Sequence, residues 1–484
     1  MAANYSIAHP ENCCMLKLFL SLLLPRPFRP QFIECPEAVR LHVMDNWKVK
    51  VSLILMRIAK RAAVLLATLG ICVEFFLNLF SVNGGVLRTL LKLINGRIII
   101  PKRGSDSFLS FVGHVVERSD LYNEGPQEDL NGFLLDPGNR FFADISIMAS
   151  TLVYENECVI RKRVNEEWQM HFVGFFDFWN DHLGKKSTQA FIFCDKETDA
   201  NLVVISFRGT QIFEADDYIT DLDFSWYRSN QMGKVHLGFL EALGLVNRSN
   251  IENSSDDSSS EPPLDTIQDP KKPLAYYVLR HKLEDLLEVH RNAKFIVTGH
   301  SLGGALAVLF SATLFVHKKE KLLEKLFAVY TFGQPRVGDE AFKDFMDTSL
   351  NVNQPVPRYF RIVYSNDIVP RIPFDDPVFM FKHFGVCLYY TSTYAQKRQN
   401  LAEEPNRNFS VRFFIPMTIN AMWELVLSLV LGHVKEFRES RLSTVCRIIG
   451  ISVPGLISHI PLNYINAVRL GPPTLNPTLS MKNY

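Results

Sequence analysis

The chain has 484 residues, enough for one large domain with appendages or for two domains. Hydrophobic residues make up 47% and charged residues 21%, which is too apolar for a disordered chain. Lys and Arg number 52 against 51 Asp and Glu, so no global basic field exists to hold nucleic acid or an anionic membrane by charge alone. Eight cysteines without CxxC pairs exclude a dense disulfide framework and a zinc ribbon.

In chain order, Cys13 and Cys14 adjoin the apolar run Leu16 to Leu24, a pattern that suits S-acylation. The run follows a non-basic start and ends in Pro25-Arg26-Pro27, so it does not read as a cleaved signal peptide. Without a secretory route the N-x-S matches at Asn4, Asn247, Asn253 and Asn408 carry no meaning as glycan acceptors. The terminal Met481-Lys482-Asn483-Tyr484 matches no retrieval or peroxisomal address, and a place on the cytosolic side of a membrane is expected.

Ala62 to Val82 is a run of 21 residues with one charge. As a helix it measures about 31 Å, enough to cross a hydrocarbon core of ~30 Å. Lys60, Glu74, Asn78 and Ser81 fall within about 60° of one another on that helix, a narrow polar stripe. The stripe favours a helix lying in, or dipping into, a lipid surface, with Arg57, Lys60, Arg61, Arg88 and Lys92 placed for head groups. The competing reading is a buried core helix. Residues 1–100 are accordingly expected to associate with lipid, and 101–139 to connect onward. Excising Val49 to Ile100 is then expected to separate targeting from chemistry.

Strand patterns follow at 190–194, 202–207, 294–298, 327–332 and 358–364, with helical patterns over 279–290 and 302–315. Such alternation predicts an α/β fold, a largely parallel sheet covered on both faces, over about 140–471. Residues 249–273 are rich in Ser, acids and Pro and read as a mobile surface insertion. A second apolar stretch, 413–432, carries Asn420, Glu424 and Ser428 at a spacing of four, again one polar stripe on a greasy helix. Residues 472–484 read as a tail.

Gly299-His300-Ser301-Leu302-Gly303 fits G-x-S-x-G between a strand and a helix. That context marks a nucleophile on a strained turn, with the helix N-terminus aimed at a forming oxyanion. A serine hydroxyl needs a base, and the base an orienting carboxylate, in the chain order Ser, acid, His. Asp367 stands just past a strand's end, where an open α/β sheet places its functional groups. His383, His433 and His459 follow it, and His459 has chain enough on either side to fold back over the sheet. For the oxyanion, Leu302 offers one N–H; Arg208-Gly209-Thr210, at the end of an earlier strand, offers the other at Thr210.

FRGT (207–210), TDLDF (220–224), VHLGF (235–239), GHSLGGALA (299–307), TFGQPRVGD (331–339) and NDIVPR (366–371) together resemble the class 3 lipases, the fungal-lipase-like α/β-hydrolases. The N-terminal apolar segment, the acidic insertion and the closing HIPLNYINAVRLG (459–471) are similar to the envelope of plant oil-body triacylglycerol lipases. The resemblance implies a triad of Ser301, Asp367 and His459, an oxyanion hole from Thr210 and Leu302, and a lid around Gln211 to Tyr218. Many relatives carry Trp where this chain has Tyr218. The resemblance implies triacylglycerol at a lipid-droplet or membrane surface as the substrate, and no metal or organic cofactor. A phospholipid or galactolipid substrate, or a lipase-like scaffold without catalysis, is the rival reading.

Overall fold

The computed structural model describes residues 5–10, 15, 19–20, 33–34, 47–122, 136–214, 223–248, 251, 269–351, 357–375, 379–398, 403–405, 414–431, 434 and 436–475. Cys13 and Cys14, His433, Tyr218 with the lid beyond Glu214, most of the 249–273 insertion and the end of the tail lie outside the described residues.

Twelve strands are described: β1 Tyr5–Ala8, β2 Ile33–Glu34, β3 His171–Asn180, β4 Lys185–Cys194, β5 Leu202–Phe207, β6 Trp226–Ser229, β7 Gly233–His236, β8 Lys294–His300, β9 Leu326–Phe332, β10 Tyr359–Tyr364, β11 Cys387–Tyr390 and β12 Gln396–Arg398. Eight form the main sheet, in the order β12-β11-β10-β9-β8-β5-β4-β3. Its middle, from β5 through β8, β9 and β10 to β11, is parallel, and the two edges are antiparallel. Every residue of β5, β9 and β10 is buried, as expected of strands with helices on both faces. Alternate side chains feed two cores. Phe295, Val297 and Val329 join one, with helix 302–316, while Ile296, Ala328, Tyr330 and Ile362 join the other, with helices 140–152 and 461–470.

The helices used below are α1 Trp47–Asn83, α2 Val86–Ile94, α3 Phe111–Val116, α4 Arg140–Leu152, α5 Ala275–Val289, α6 Leu302–Val316, α7 Phe414–Val430, α8 Arg441–Gly450 and α9 Pro461–Leu470. At 37 residues, α1 is far longer than the apolar run that announced it. It stops where Gly84 and Gly85 adopt φ of 84° and 101°, which side chains disfavour. Only 17% of its most apolar stretch is buried, so that stretch of α1 is not a core helix of this chain. Val64 is 80% exposed, and Leu87 and Ile94 of α2 are 78% and 81% exposed.

The middle of the polar stripe on α1, Glu74 and Asn78, meets protein, while Lys60 and Ser81 at its ends stay exposed. Glu74 accepts from the Phe111 N–H at 3.1 Å. Asn78 donates to Leu109 O and accepts from its N–H, both at 2.8 Å, and Asn83 makes the same two-point pair with Ile99. Each amide thereby satisfies backbone groups that the loop would otherwise leave unpaired. The stripe is no longer an argument for an interfacial helix. Glu74 and Asn78 form the seam by which α1 holds the connector, and the outward face from Val64 to Phe76 is mostly apolar.

The N-terminal region is also tied to the body by its own core. β1 pairs with β6 in a four-stranded sheet, Tyr5 opposite Tyr227. Val49, Leu53 and Ile54 of α1 are buried with Phe224, Trp226, Phe379 and Phe381. Farther along α1, Phe213 packs at Gly70, where any Cβ would come within 2.6 Å of the Phe213 Cβ. The Phe213 ring meets Phe111 of α3 edge-on, with centroids 5.5 Å apart.

Glu155 locks the connector to the body: its carboxylate accepts from Ser110 N–H at 2.7 Å and from Ser110 Oγ at 2.8 Å. Gly113 allows this approach, since a Cβ there would lie 2.0 Å from Glu155 Oε1. Burial, opposed by the Ser110 hydrogen bonds, pushes the Glu155 carboxyl up to about 7. An acid whose folded pKa lies above its unfolded value contributes stability that is full below the unfolded pKa. That stability is lost as pH rises through the folded pKa. The fold should therefore lose about 3 kcal/mol between about pH 4.5 and pH 7 from this group. Glu155→Gln should flatten that fall in denaturant titrations at about pH 5 and pH 8. A wild-type slope retained by the variant would assign it to other groups.

Candidate active site

The parallel register sets the site. Phe207 lies opposite Gly299, His300 opposite Phe332, and Phe332 opposite Ile362, so the C-terminal ends of β5, β8, β9 and β10 finish side by side. The residues that follow these strands, 208–210, 301, 333 and 365–367, converge at one edge, which is where such sheets carry their chemistry.

Ser301 turns the chain from β8 into α6 with φ 58° and ψ −133°, a conformation that costs a residue with a side chain about 1–3 kcal/mol. It is held by Ser301 N–H to Phe332 O and Gly304 N–H to Ser301 O, each 2.9 Å. The flanking glycines are required by contact: a Cβ at Gly299 would sit 2.2 Å from the Gly303 backbone, and one at Gly303 2.3 Å from Phe207 O. Leu302 opens α6, so its N–H is one of the unpaired donors at a helix start. Gly209 lies against the turn, its ideal Cβ 3.1 Å from Ser301 Cβ, which puts Thr210 next to the same turn. A narrow crevice lined by Gly209, Leu302, Leu306, Thr188 and Ala242 opens here.

His459 ends a short 3-10 turn just before α9. Its Nε2 lies 2.8 Å from Ser301 Oγ and its Nδ1 2.7 Å from Asp367 Oδ2. Asp367 is fully buried. Its Oδ2 also accepts from Tyr464 O–H, and its Oδ1 accepts from Val369 N–H at 2.9 Å. A hydroxyl, an imidazole and a carboxylate in this line can move a proton off the hydroxyl and stabilise the imidazolium that results. His383, by contrast, is buried elsewhere and donates from Nε2 to Pro370 O at 2.7 Å.

Three supporting residues were missed in the sequence. Tyr464 lies inside the closing motif, one and a half turns after His459. His300, the variable residue of G-x-S-x-G, packs on His459 in a tilted pair with centroids 4.5 Å apart. Its Nε2 donates to His459 O at 2.8 Å, so Nδ1 is the acceptor for Tyr154 O–H at 3.0 Å. Burial holds His300 well below the usual histidine range, hence neutral beside His459. Gly333 is the third: with φ 60°, its ideal Cβ lies 2.8 Å from Asp367 Oδ2 and 2.9 Å from His459 Nδ1. Gly333→Ala should therefore lower turnover by roughly 10²-fold or more with the fold retained. Near wild-type kcat would show that the acid and the imidazole tolerate displacement.

Among the described residues one group has metal-ligand geometry, His383, Glu403 and Glu404, with donor atoms within 4.8 Å of one another. Arg336 already pairs with Glu403 at 2.7 Å and Arg361 with Glu404 at 3.1 Å. Two buried guanidiniums against two carboxylates make this an ion-pair cluster and a poor cation site.

A mostly parallel sheet, a strained serine between strand and helix, and functional groups at the strands' C-terminal ends define the α/β-hydrolase class. Residues 204–376 match the model of the lipase (class 3) family. Triacylglycerol lipase OBL1 of Nicotiana tabacum is 43% identical over 88% of this chain and 83% of its own length. Its namesake from Arabidopsis thaliana is 40% identical over 97% of this chain and 95% of its own. The solved Rhizomucor miehei lipase–propeptide complex shares 27% identity over 46% of this chain and 57% of that one, with a TM-score of 0.33. The chain belongs to the class 3 lipases. It is a carboxylester hydrolase, and its substrates are acyl lipids.

Proposed function

We propose that the protein is a serine lipase that hydrolyses triacylglycerol at a lipid-droplet surface through an acyl-enzyme. The observation that carries the mechanism is the unbroken line from Ser301 Oγ through His459 to Asp367, with contacts of 2.8 and 2.7 Å. Ser301 attacks the ester carbonyl while His459 Nε2 takes its proton. The oxyanion collects the N–H groups of Leu302 and Thr210, and preorganised donors of this kind contribute about 2.7–4 kcal/mol each. The protonated His459, held by Asp367, passes its proton to the departing glyceride oxygen. Water then enters as nucleophile, His459 serves again as base, and the fatty acid leaves.

The choice of triacylglycerol rests on the names carried by the relatives over nearly the whole chain. The droplet placement, with the hydrolase in the cytosol, is supported by the outward apolar surface of α1 and α2. The test is one purified preparation given emulsified triacylglycerol, phosphatidylcholine and galactolipid side by side. Triacylglycerol should be turned over fastest. Faster hydrolysis of either polar lipid would replace the substrate while leaving the mechanism.

A further inference from the structure

The second apolar stretch, 413–432, has no part in the triad, yet α7 within it is held in a fixed rotation. Its stripe of Asn420, Glu424 and Ser428 faces inward, with Glu424 and Ser428 buried. Ser365, two residues before Asp367, donates from Oγ to Glu424 Oε1 at 2.7 Å and accepts from Asn420 Nδ2 at 3.0 Å. Arg447 of α8 stands 3.6 Å from Glu424 and donates to Asn463 of α9 at 2.6 Å. Burial raises the Glu424 carboxyl, and the Arg447 guanidinium opposes that rise. Met417 fits against Gly455, where a Cβ would lie 2.7 Å from its Cε. With its polar side committed to these partners, α7 cannot roll its apolar side inward without orphaning a buried carboxylate.

That apolar side is bare. Ile415, Ile419, Trp423 and Leu429 are exposed on α7. Ile448 and Ile449 on α8 are exposed as well, and Val453 and Leu456 carry the same character to within three residues of His459. Charge is absent from these positions, so the surface fits hydrocarbon and offers nothing to a polar partner. It also adjoins the surface of α1, because α8 and α1 both pack against α3. We propose that the outward faces of α7 and α8 form a second lipid-contact surface. It sits on the same triacylglycerol droplet as α1 and brings the lipid phase to the rim of the site beside His459. The proposal rests on the droplet-lipase reading above and extends it. The first apolar helix holds the enzyme on lipid, and this surface orients the site toward it.

Trp423 supplies the probe. Full-length protein is bound to triolein droplets coated with phosphatidylcholine brominated on its acyl chains, and its emission is compared with that of Trp423→Phe. The difference isolates Trp423, and it should be quenched by the brominated lipid. A Trp423 component left unquenched while the protein floats with the droplets overturns the surface. Ile419→Ser, Trp423→Ser and Leu429→Ser combined should lower triolein hydrolysis about tenfold or more, since apolar contact is removed. A soluble butyrate ester should still be hydrolysed within about twofold of wild type, because none of the three touches the reacting groups. Were the triple variant to convert a lipid-free dimer to monomer with triolein hydrolysis intact, the face would be a contact between two copies and the proposal would fall. Wild type that shows Trp423 quenching yet leaves triolein untouched would retain the surface and remove the substrate reading instead.

Discussion

Ser301→Ala is expected to abolish ester hydrolysis, with turnover down roughly 10⁶-fold and folding near normal. The substitution removes one oxygen from a turn whose conformation is held by backbone bonds to Phe332 and Gly304, so the geometry has no reason to relax. His459→Ala should be as complete a loss, and the double variant no worse, because Oγ and Nε2 at 2.8 Å act as one unit. A fluorophosphonate should label wild type and leave the Ser301 variant unlabelled. His383→Ala loses a buried bond to Pro370 O and a 4.0 Å approach to Glu404, and its folded fraction should still label. Activity of a few per cent in Ser301→Ala, or an unlabelled His383→Ala that is fully folded, would send the nucleophile or the base elsewhere.

Excision of Val49 to Ile100 should give insoluble, inactive protein, the reverse of what the sequence suggested. Val49, Leu53 and Ile54 share a core with Trp226 and Phe381, and losing buried aliphatics costs about 2–5 kcal/mol each. Their sum, roughly 6–15 kcal/mol, matches the whole stability of an ordinary domain. The excision also strips the side-chain partners Asn78 and Glu74 from the backbone of Leu109 and Phe111. Targeting can still be separated from chemistry by substitution. Val64→Gln, Leu65→Gln and Leu69→Gln change exposed side chains only. They should weaken flotation with droplets while a soluble short ester is hydrolysed at the wild-type rate. A soluble, active excision product would show that the N-terminal core is dispensable.

Local chemistry made the centre of this molecule legible. The β-branched and aromatic runs of β5, β8, β9 and β10 announce strands buried on both faces, and G-x-S-x-G between β8 and α6 announces the turn. Distance in the chain hid other parts. β1 finds β6 across more than two hundred residues, and nothing in Tyr5-Ser6-Ile7-Ala8 names that partner. β3, half-buried along most of its length, lacks the clear alternation that marks a strand. The instructive case is the two polar stripes. Periodicity established which side chains share a face on α1 and α7, and it is silent about inside and outside. Glu74 with Asn78, and Asn420 with Glu424, turned out to be the inward faces of helices whose apolar sides point away. Tyr464 and Gly333 were in plain view within quoted motifs, but their value is a matter of contact with Asp367, which only three dimensions supply.

The notch at Gly70 bears on how such an enzyme can be re-engineered or can diverge. An unrelated apolar helix spliced in place of α1 would present an equally apolar outward surface. Any side chain at the position of Gly70 would nevertheless drive Phe213 aside, and Phe213 is three residues beyond Thr210. The same graft would need amides in register to receive Leu109 and Ile99. In this chain α1 is therefore not an interchangeable handle. A chimera that keeps Gly70, Asn78 and Asn83 and exchanges only the outward residues is the one that can change the surface this hydrolase presents with its fold intact.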